Sequence, residues 1–271
     1  MPELPEVETT RLGITPKILN QIVSAVKVRQ PKLRWPVPES LSLELPGLCF
    51  HSIERRGKYL LLETTKGVLL VHLGMSGSLR IVPSDNPPTK HDHVDVMFNS
   101  GFTLRYTDPR RFGCILWIKQ PVYSHPLLKN LGLEPLSDEF DGRYLKLRSL
   151  GKQTAIKSFI MDSSVVVGVG NIYANESLFN AGISPTRKAK NISLSRFQLL
   201  AEQIKLVLKN AIKVGGTTLR DFTGSDGKPG YFKQSLKVYG RGGEPCFICN
   251  RKLTELRIGQ RSTVYCIHCQ S

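Results

Sequence analysis

Four of the six cysteines stand as two C-x2-C pairs, Cys246/Cys249 and Cys266/Cys269, with sixteen residues between the pairs. That spacing suits a tetrahedral zinc site. Each tight knuckle turns two thiolates toward one ion, and four soft sulfurs complete the shell. His268 lies inside the second knuckle, where no position is left for it to fill. Disulfides are the competing use of these thiols. The sequence opens with neither the basic nor the apolar segment of a secretory signal, so reduced thiols and a cytoplasmic setting are expected. Cys49 and Cys114 stand alone in apolar runs and read as core residues.

The other end of the chain, MPELPEVETT, concentrates proline and glutamate. Helix chemistry explains part of it. Pro5 is welcome in a first turn, Glu6 and Glu8 complement the positive end of the dipole, and Gly13 would stop a helix running from Pro5 to Leu12. Pro2 and Glu3 precede that helix and are left unexplained. Elsewhere, VVVGVGNIYANE lacks the third glycine of a dinucleotide fingerprint, since Tyr173 holds that position. It reads better as a glycine-rich turn entering a helix at Asn171, either a plain cap or a cradle of free N–H groups for a phosphate. HLGMSGSLR puts Met75 in a glycine-flanked turn, and TDPRRFG puts Arg110, Arg111 and Phe112 in another. Apolar side chains beside arginines are what a wedge in a base stack requires, although each turn taken alone reads as ordinary packing. Lys58, in ERRGKYLLLE, is one cation among many until a partner site promotes it.

Lysine and arginine number 38 against 22 acids, a formal net charge of +16 over 271 residues. Such an excess argues for a polyanionic partner, and nucleic acid is the commonest one. The basic residues recur along the chain, as in Lys27, Arg29, Lys32 and Arg34, so a folded surface that follows a phosphate backbone fits better than a charged tail. No apolar run approaches the roughly 18 residues of a membrane span.

The elements that must position these residues change character part-way. Residues 18–120 carry short apolar or alternating runs (KYLLLET, VLLVHLGM, HDHVDVMF, FTLRY, CILWI) broken by turns such as Asn99–Gly101, the pattern of a sandwich or barrel-like pair of layers. The proline- and acid-bearing stretch 131–142 reads as a linker. Beyond it the spacing turns helical, through YLKLRSL, TAIKSFIM, NIYANESLFNAG and the long amphipathic SLSRFQLLAEQIKLVLKNAIKV, which ends at Gly215–Gly216. GSDGKPG at 224–230 has loop composition, and the cysteine ribbon closes the chain as two short hairpins. The expected class is α+β.

Taken together, PELPEVE (2–8), RRGKYL (55–60), HLGMSGSLR (72–80), KHDHVD (90–95), YTDPRRFG (106–113), GVGNIYANE (168–176) and GQRSTVYCIHC (259–269) resemble the bacterial formamidopyrimidine-DNA glycosylase family, in order and over essentially the whole chain. The resemblance implies a catalytic β-sandwich domain flanked by helices at 1–130, a linker at 131–150, a helix–two-turn–helix domain at 151–232 and a zinc finger at 238–271. It implies a nucleophile in Pro2, whose amine is freed by removal of the initiator methionine, a catalytic acid in Glu3 and a supporting role for Glu6. Lys58 and Arg261 become the proton donors for β- and δ-elimination. DNA-binding positions fall on His91, Arg110, Lys152 and Asn171. Met75, Arg110 and Phe112 fill the void left by an everted base, and the loop 217–232 covers that base. The implied partner is double-stranded DNA carrying oxidised purines, bound by a monomer in the bacterial cytoplasm without a membrane. Two alternatives remain. An endonuclease VIII-like glycosylase would act on oxidised pyrimidines, and a non-catalytic zinc-ribbon DNA-binding protein would need no free N-terminal proline.

Overall fold

The computed structural model describes residues 2–119, 121–216 and 235–271. The chain divides into two compact units, Met1–Lys129 with Val214–Lys233, and Asn130–Lys213 with Gln234–Ser271. The expected covering loop at 217–232 lies outside the described residues.

The first unit opens with helix α1 (Leu4–Ile18), followed by β1 (Val23–Val28), the short α2 (Ser40–Glu44) and strands β2 (Ser52–Arg56), β3 (Tyr59–Glu63), β4 (Val68–His72), β5 (Ser78–Pro83), β6 (Asp92–Phe98), β7 (Phe102–Thr107) and β8 (Cys114–Ile118). They form two four-stranded antiparallel sheets, ordered β1-β6-β7-β5 and β2-β3-β4-β8. The apolar runs noted above supply the filling. Leu60, Leu62, Leu69 and Val71 from one sheet join Val94, Val96, Leu104 and Tyr106 from the other in a single buried cluster. Ile14 and Ile18 of α1 belong to the same cluster.

Those two isoleucines explain why the helix does not stop at Gly13. Its last turns bury apolar side chains, which outweighs the roughly 1 kcal/mol that an internal glycine costs. The helix therefore continues through Pro16 to Ile18.

The second unit is helical, with α3 (Gly142–Arg148), α4 (Ile156–Ile160), α5 (Asn171–Asn180) and the twenty-residue α6 (Leu194–Lys213). The stretch expected as a linker carries Phe140, which is fully buried, and Ser137, whose carbonyl accepts Lys205 Nζ of α6 at 2.8 Å. The hairpin β9 (Thr254–Ile258) and β10 (Arg261–Tyr265) ends the unit. Val264 packs with Phe179 of α5, Val238 and Leu253 around the cysteines.

Candidate active site and nucleic-acid interface

In the first unit, Pro2 and Glu3 are buried at the N-terminal end of α1. Glu6, one turn on, reaches back so that its Oε2 accepts the Glu3 backbone N–H at 2.8 Å. The returning chain meets the same carboxylate. Gly216, at φ +82°, lies so near that an added Cβ would stand 3.1 Å from Glu6 Oε1. Helix α1 packs on β2 and β3, whose connecting turn holds Lys58 beside Gly57, at φ +58°.

That packing is fastened by charge. Arg55 Nε donates to Glu8 Oε2 at 2.9 Å, and its Nη1 donates to the Gly57 carbonyl at 3.2 Å. Burial pulls the Glu8 pKa upward, but Arg11 and Arg55 outweigh it and hold the carboxyl below its usual range. His72, at the end of β4, is driven down to about 4 by burial first and then by the nearby cations Lys58 and Arg34. Its neutral ring accepts the Gly74 N–H on Nδ1 at 3.0 Å and lies against Tyr59, with ring centroids 4.9 Å apart.

Met75 and Phe112 are 36% and 45% exposed, unusual for large apolar side chains on ordered turns. The Arg110 guanidinium lies 4.8 Å over the Phe112 ring. The two turns touch through their backbones, because a Cβ on Gly74 would run into the Gly113 nitrogen. His91 is half-buried, its ring edge-on to His93 with centroids 6.4 Å apart.

In the second unit, Gly170 rather than Asn171 takes the N-cap of α5. Asn171, freed from capping, turns its Nδ2 to the Ser262 carbonyl at 3.0 Å. The same carbonyl accepts Lys157 Nζ at 2.8 Å, and Lys157 also donates to Thr263 Oγ1 at 2.7 Å. Lys157 is only 1% exposed, and a buried ammonium must be fully hydrogen-bonded to be tolerated. These bonds fix the residue next to Arg261, which is exposed and points one guanidinium nitrogen at Met161 Sδ, 4.0 Å away. Gly259 and Gln260 make the tight hairpin turn before it, both at positive φ. Lys152 is exposed midway along the α3–α4 connection.

Neither Lys157 nor Glu176 is singled out by sequence reasoning. Glu176 accepts three successive backbone N–H groups, those of Lys237, Val238 and Tyr239, at 2.8–2.9 Å. Both residues act on partners more than sixty positions away in the chain, which no local pattern reveals.

The sulfurs of Cys246, Cys249, Cys266 and Cys269 all lie within 4.8 Å of one another, and none forms a disulfide. Cys246 and Cys269 are 4.0 Å apart, and Cys249 and Cys266 3.5 Å. A tetrahedron with Zn–S bonds of about 2.3 Å has edges of about 3.8 Å, so the four thiolates fit one zinc ion. With four protein ligands the ion is structural and has no open position for chemistry.

Family models cover nearly all of this framework. Residues 1–115 match the formamidopyrimidine-DNA glycosylase N-terminal domain, 131–223 its H2TH domain, and 243–271 the zinc finger found in FPG and IleRS. The chain belongs to the formamidopyrimidine-DNA glycosylase family. It is 58% identical over 270 residues to the formamidopyrimidine-DNA glycosylase of Stutzerimonas stutzeri, covering 100% of both chains. Among solved structures it resembles the Lactococcus lactis Fpg bound to DNA containing an abasic site, with TM-score 0.92, 33% identity and 99% of each chain covered. It likewise resembles MutM in complex with DNA containing carbocyclic 8-oxo-G, with TM-score 0.91, 34% identity and 99% of each chain. As in that family, the fold is α+β with a four-cysteine zinc centre. No helix among the described residues is long and apolar enough to cross a membrane.

Proposed function

We propose that this protein is a bifunctional base-excision-repair enzyme, a DNA glycosylase with abasic-site lyase activity that removes oxidised purines from duplex DNA. The observation that carries the reading is the pair Pro2–Glu3, buried at the start of α1 in a chain of this family, with α1 fastened through Glu8 and Arg55 to the hairpin of Lys58.

The chemistry follows from the residue types. An α-amine has a reference pKa of about 7.7–8.0 against about 10.4 for a lysine, so a useful fraction of the freed Pro2 amine is unprotonated near neutral pH. Its lone pair attacks the sugar C1′, the bond to the damaged base breaks, and the base departs with a proton. As the sugar ring opens, Glu3 moves a proton to the ring oxygen and a cationic iminium remains. A secondary amine has no second N–H to lose, so the iminium stays charged and acidifies the C2′ hydrogen. Loss of that proton expels the 3′ phosphate, with Lys58 as proton donor. A second elimination expels the 5′ phosphate, assisted by Arg261. Glu6 steadies this end through the Glu3 N–H. His91, Arg110, Lys152 and Asn171 hold DNA, and Met75, Arg110 and Phe112 occupy the space of the displaced base. The enzyme works as a monomer in the bacterial cytoplasm.

Borohydride reduction during turnover tests this. Full-length protein with the initiator methionine removed is incubated with duplexes carrying 8-oxoguanine or an oxidised pyrimidine, and the adduct peptide is sequenced by mass spectrometry. The expected product is an 8-oxoguanine-duplex adduct through Pro2. An adduct formed only with the pyrimidine duplex would overturn the substrate class, and none on either duplex the enzymatic reading.

A further inference from the structure

The turns that carry Met75 and Arg110–Phe112 are far apart in sequence, yet both are keyed to one buried carboxylate. Asp108 is 0% exposed. Its Oδ1 accepts the Ser76 hydroxyl at 2.7 Å, and its Oδ2 accepts the Gly113 backbone N–H at 2.9 Å and the Tyr106 hydroxyl at 3.2 Å. Ser76 Oγ in turn accepts the Arg110 N–H at 3.3 Å, which closes a polar ring across the two turns. The Asp108 main chain extends the key to a third segment. Its N–H donates to the His91 carbonyl at 3.1 Å, while its carbonyl accepts the Arg111 N–H at 3.1 Å and lies 2.8 Å from His93 Nε2.

Apolar packing cannot supply this placement, since Met75 and Phe112 stand out in solvent. The Arg110–Phe112 turn is also held away from its relaxed form, with Arg111 at φ +58° in the left-handed region. A hydrogen-bonded carboxylate buried below the turns is strong enough to impose such a shape, because removing one of its donors leaves a charge short of partners.

We infer that Asp108, acting through Ser76 and Gly113, is the positioning residue for the Met75–Arg110–Phe112 wedge, and so sets how the base opposite the lesion is read. The inference rests on the function proposed above, in which those three side chains fill the vacated stack. Asp108 touches neither DNA nor the reacting atoms. It fixes the separation of two turns that must enter the stack together, and its loss frees each turn to move alone.

The test is a double-mutant cycle with Ser76→Ala and Phe112→Ala in the full-length, zinc-loaded protein. Excision of 8-oxoguanine opposite cytosine and opposite adenine is compared with cleavage of a preformed abasic site, where no base need be evicted. Ser76→Ala removes both hydrogen bonds of the Ser76 hydroxyl, the one to Asp108 and the one from the Arg110 N–H, while deleting only a single oxygen atom. It is expected to lower excision about ten- to a hundredfold, the usual worth of one such bond to a charged group. The cytosine-to-adenine ratio should shrink by a similar factor and cleavage of the abasic site should hold. The double variant should lose no more than Phe112→Ala alone, because both changes disable one device. Asp108→Asn, which keeps shape and most acceptors, should fall between wild type and Asp108→Ala. An unchanged opposite-base ratio, additive losses, or an equal loss on the abasic site would overturn the inference. Failure of the wild-type protein to excise 8-oxoguanine would instead overturn the proposed function.

Discussion

Glu176→Gln is the smallest change that should loosen the arm carrying the zinc centre. The carboxylate is 3% exposed and gathers three consecutive N–H groups, Oε1 taking Val238 and Tyr239 and Oε2 taking Lys237. Glutamine fits the same space and can keep Oε1 on two of them. Its amide nitrogen then faces the Lys237 N–H, donor against donor, so one bond is lost and two pass from charged to neutral acceptors. Charged acceptors contribute about 1.5–3 kcal/mol and neutral ones about 0.5–1.5 kcal/mol, so one bond lost and two weakened sum to roughly 3.5–6 kcal/mol. Lys237 is exposed and water can partly replace its lost acceptor, so about 3 kcal/mol is the working figure. Hydrogen exchange measured by mass spectrometry or NMR reads this directly. Protection of the amides of residues 237–239 should fall by roughly a hundredfold, with a thermal transition lowered by roughly 10 °C. Unchanged protection at those three amides would refute the reasoning, whatever happened to the melting point.

Zinc removal by a chelator, or Cys266→Ser, should unfold the ribbon from about 238 onward while the α1 sandwich keeps its melting transition, because thiolate ligation supplies the ribbon's folding energy. Circular dichroism and limited proteolysis would show it, and a ribbon that stays protected without metal would contradict it. The His72 pKa of about 4 lies below the unfolded value of about 6.5, so the unfolded chain binds the extra proton first. Stability is therefore intact above pH 6.5 and declines as pH falls through 4, by about 3 kcal/mol. An imidazole resonance of His72 titrating at or above 6.5 would contradict this. Affinity for duplex DNA should fall steeply as salt rises, since a chain of net charge +16 releases counterions on binding phosphates, and a flat salt dependence would rule that out.

Covalent spacing was the most legible feature of the sequence. Two C-x2-C pairs leave little freedom in how four sulfurs meet, and β3 and β4 read as strands because they are short continuous apolar runs bounded by turns, as befits strands buried on both faces. The end of α1 was misplaced because Gly13 is a local signal, whereas the burial of Ile14 and Ile18 is a property of the assembled core. Asn171 read as a possible cap, but the backbone of Gly170 takes that place and the side chain serves the ribbon hairpin instead. Strand order could not be read at all. Nothing local tells β8 to pair with β4, or β5 with β7. The same holds for the polar keys, since Ser76 lies 32 residues from Asp108 and Lys157 lies 105 from Ser262. Such pairs are chosen by the fold, and only after it forms do the residues acquire a role.

The double grip on the Ser262 carbonyl changes what the zinc ribbon is. Lys157 and Asn171 hold that oxygen, and Asn175 Oδ1 takes the Val264 N–H at 3.0 Å, so the β10 strand is seated in a socket made by α4 and α5. Transplanted to another protein by its cysteines alone, the ribbon would bind its metal and keep its hairpin, but Arg261 would have no fixed bearing. A working graft would have to carry the socket with it, and the smallest transferable part is thus a piece of the helical body rather than a finger.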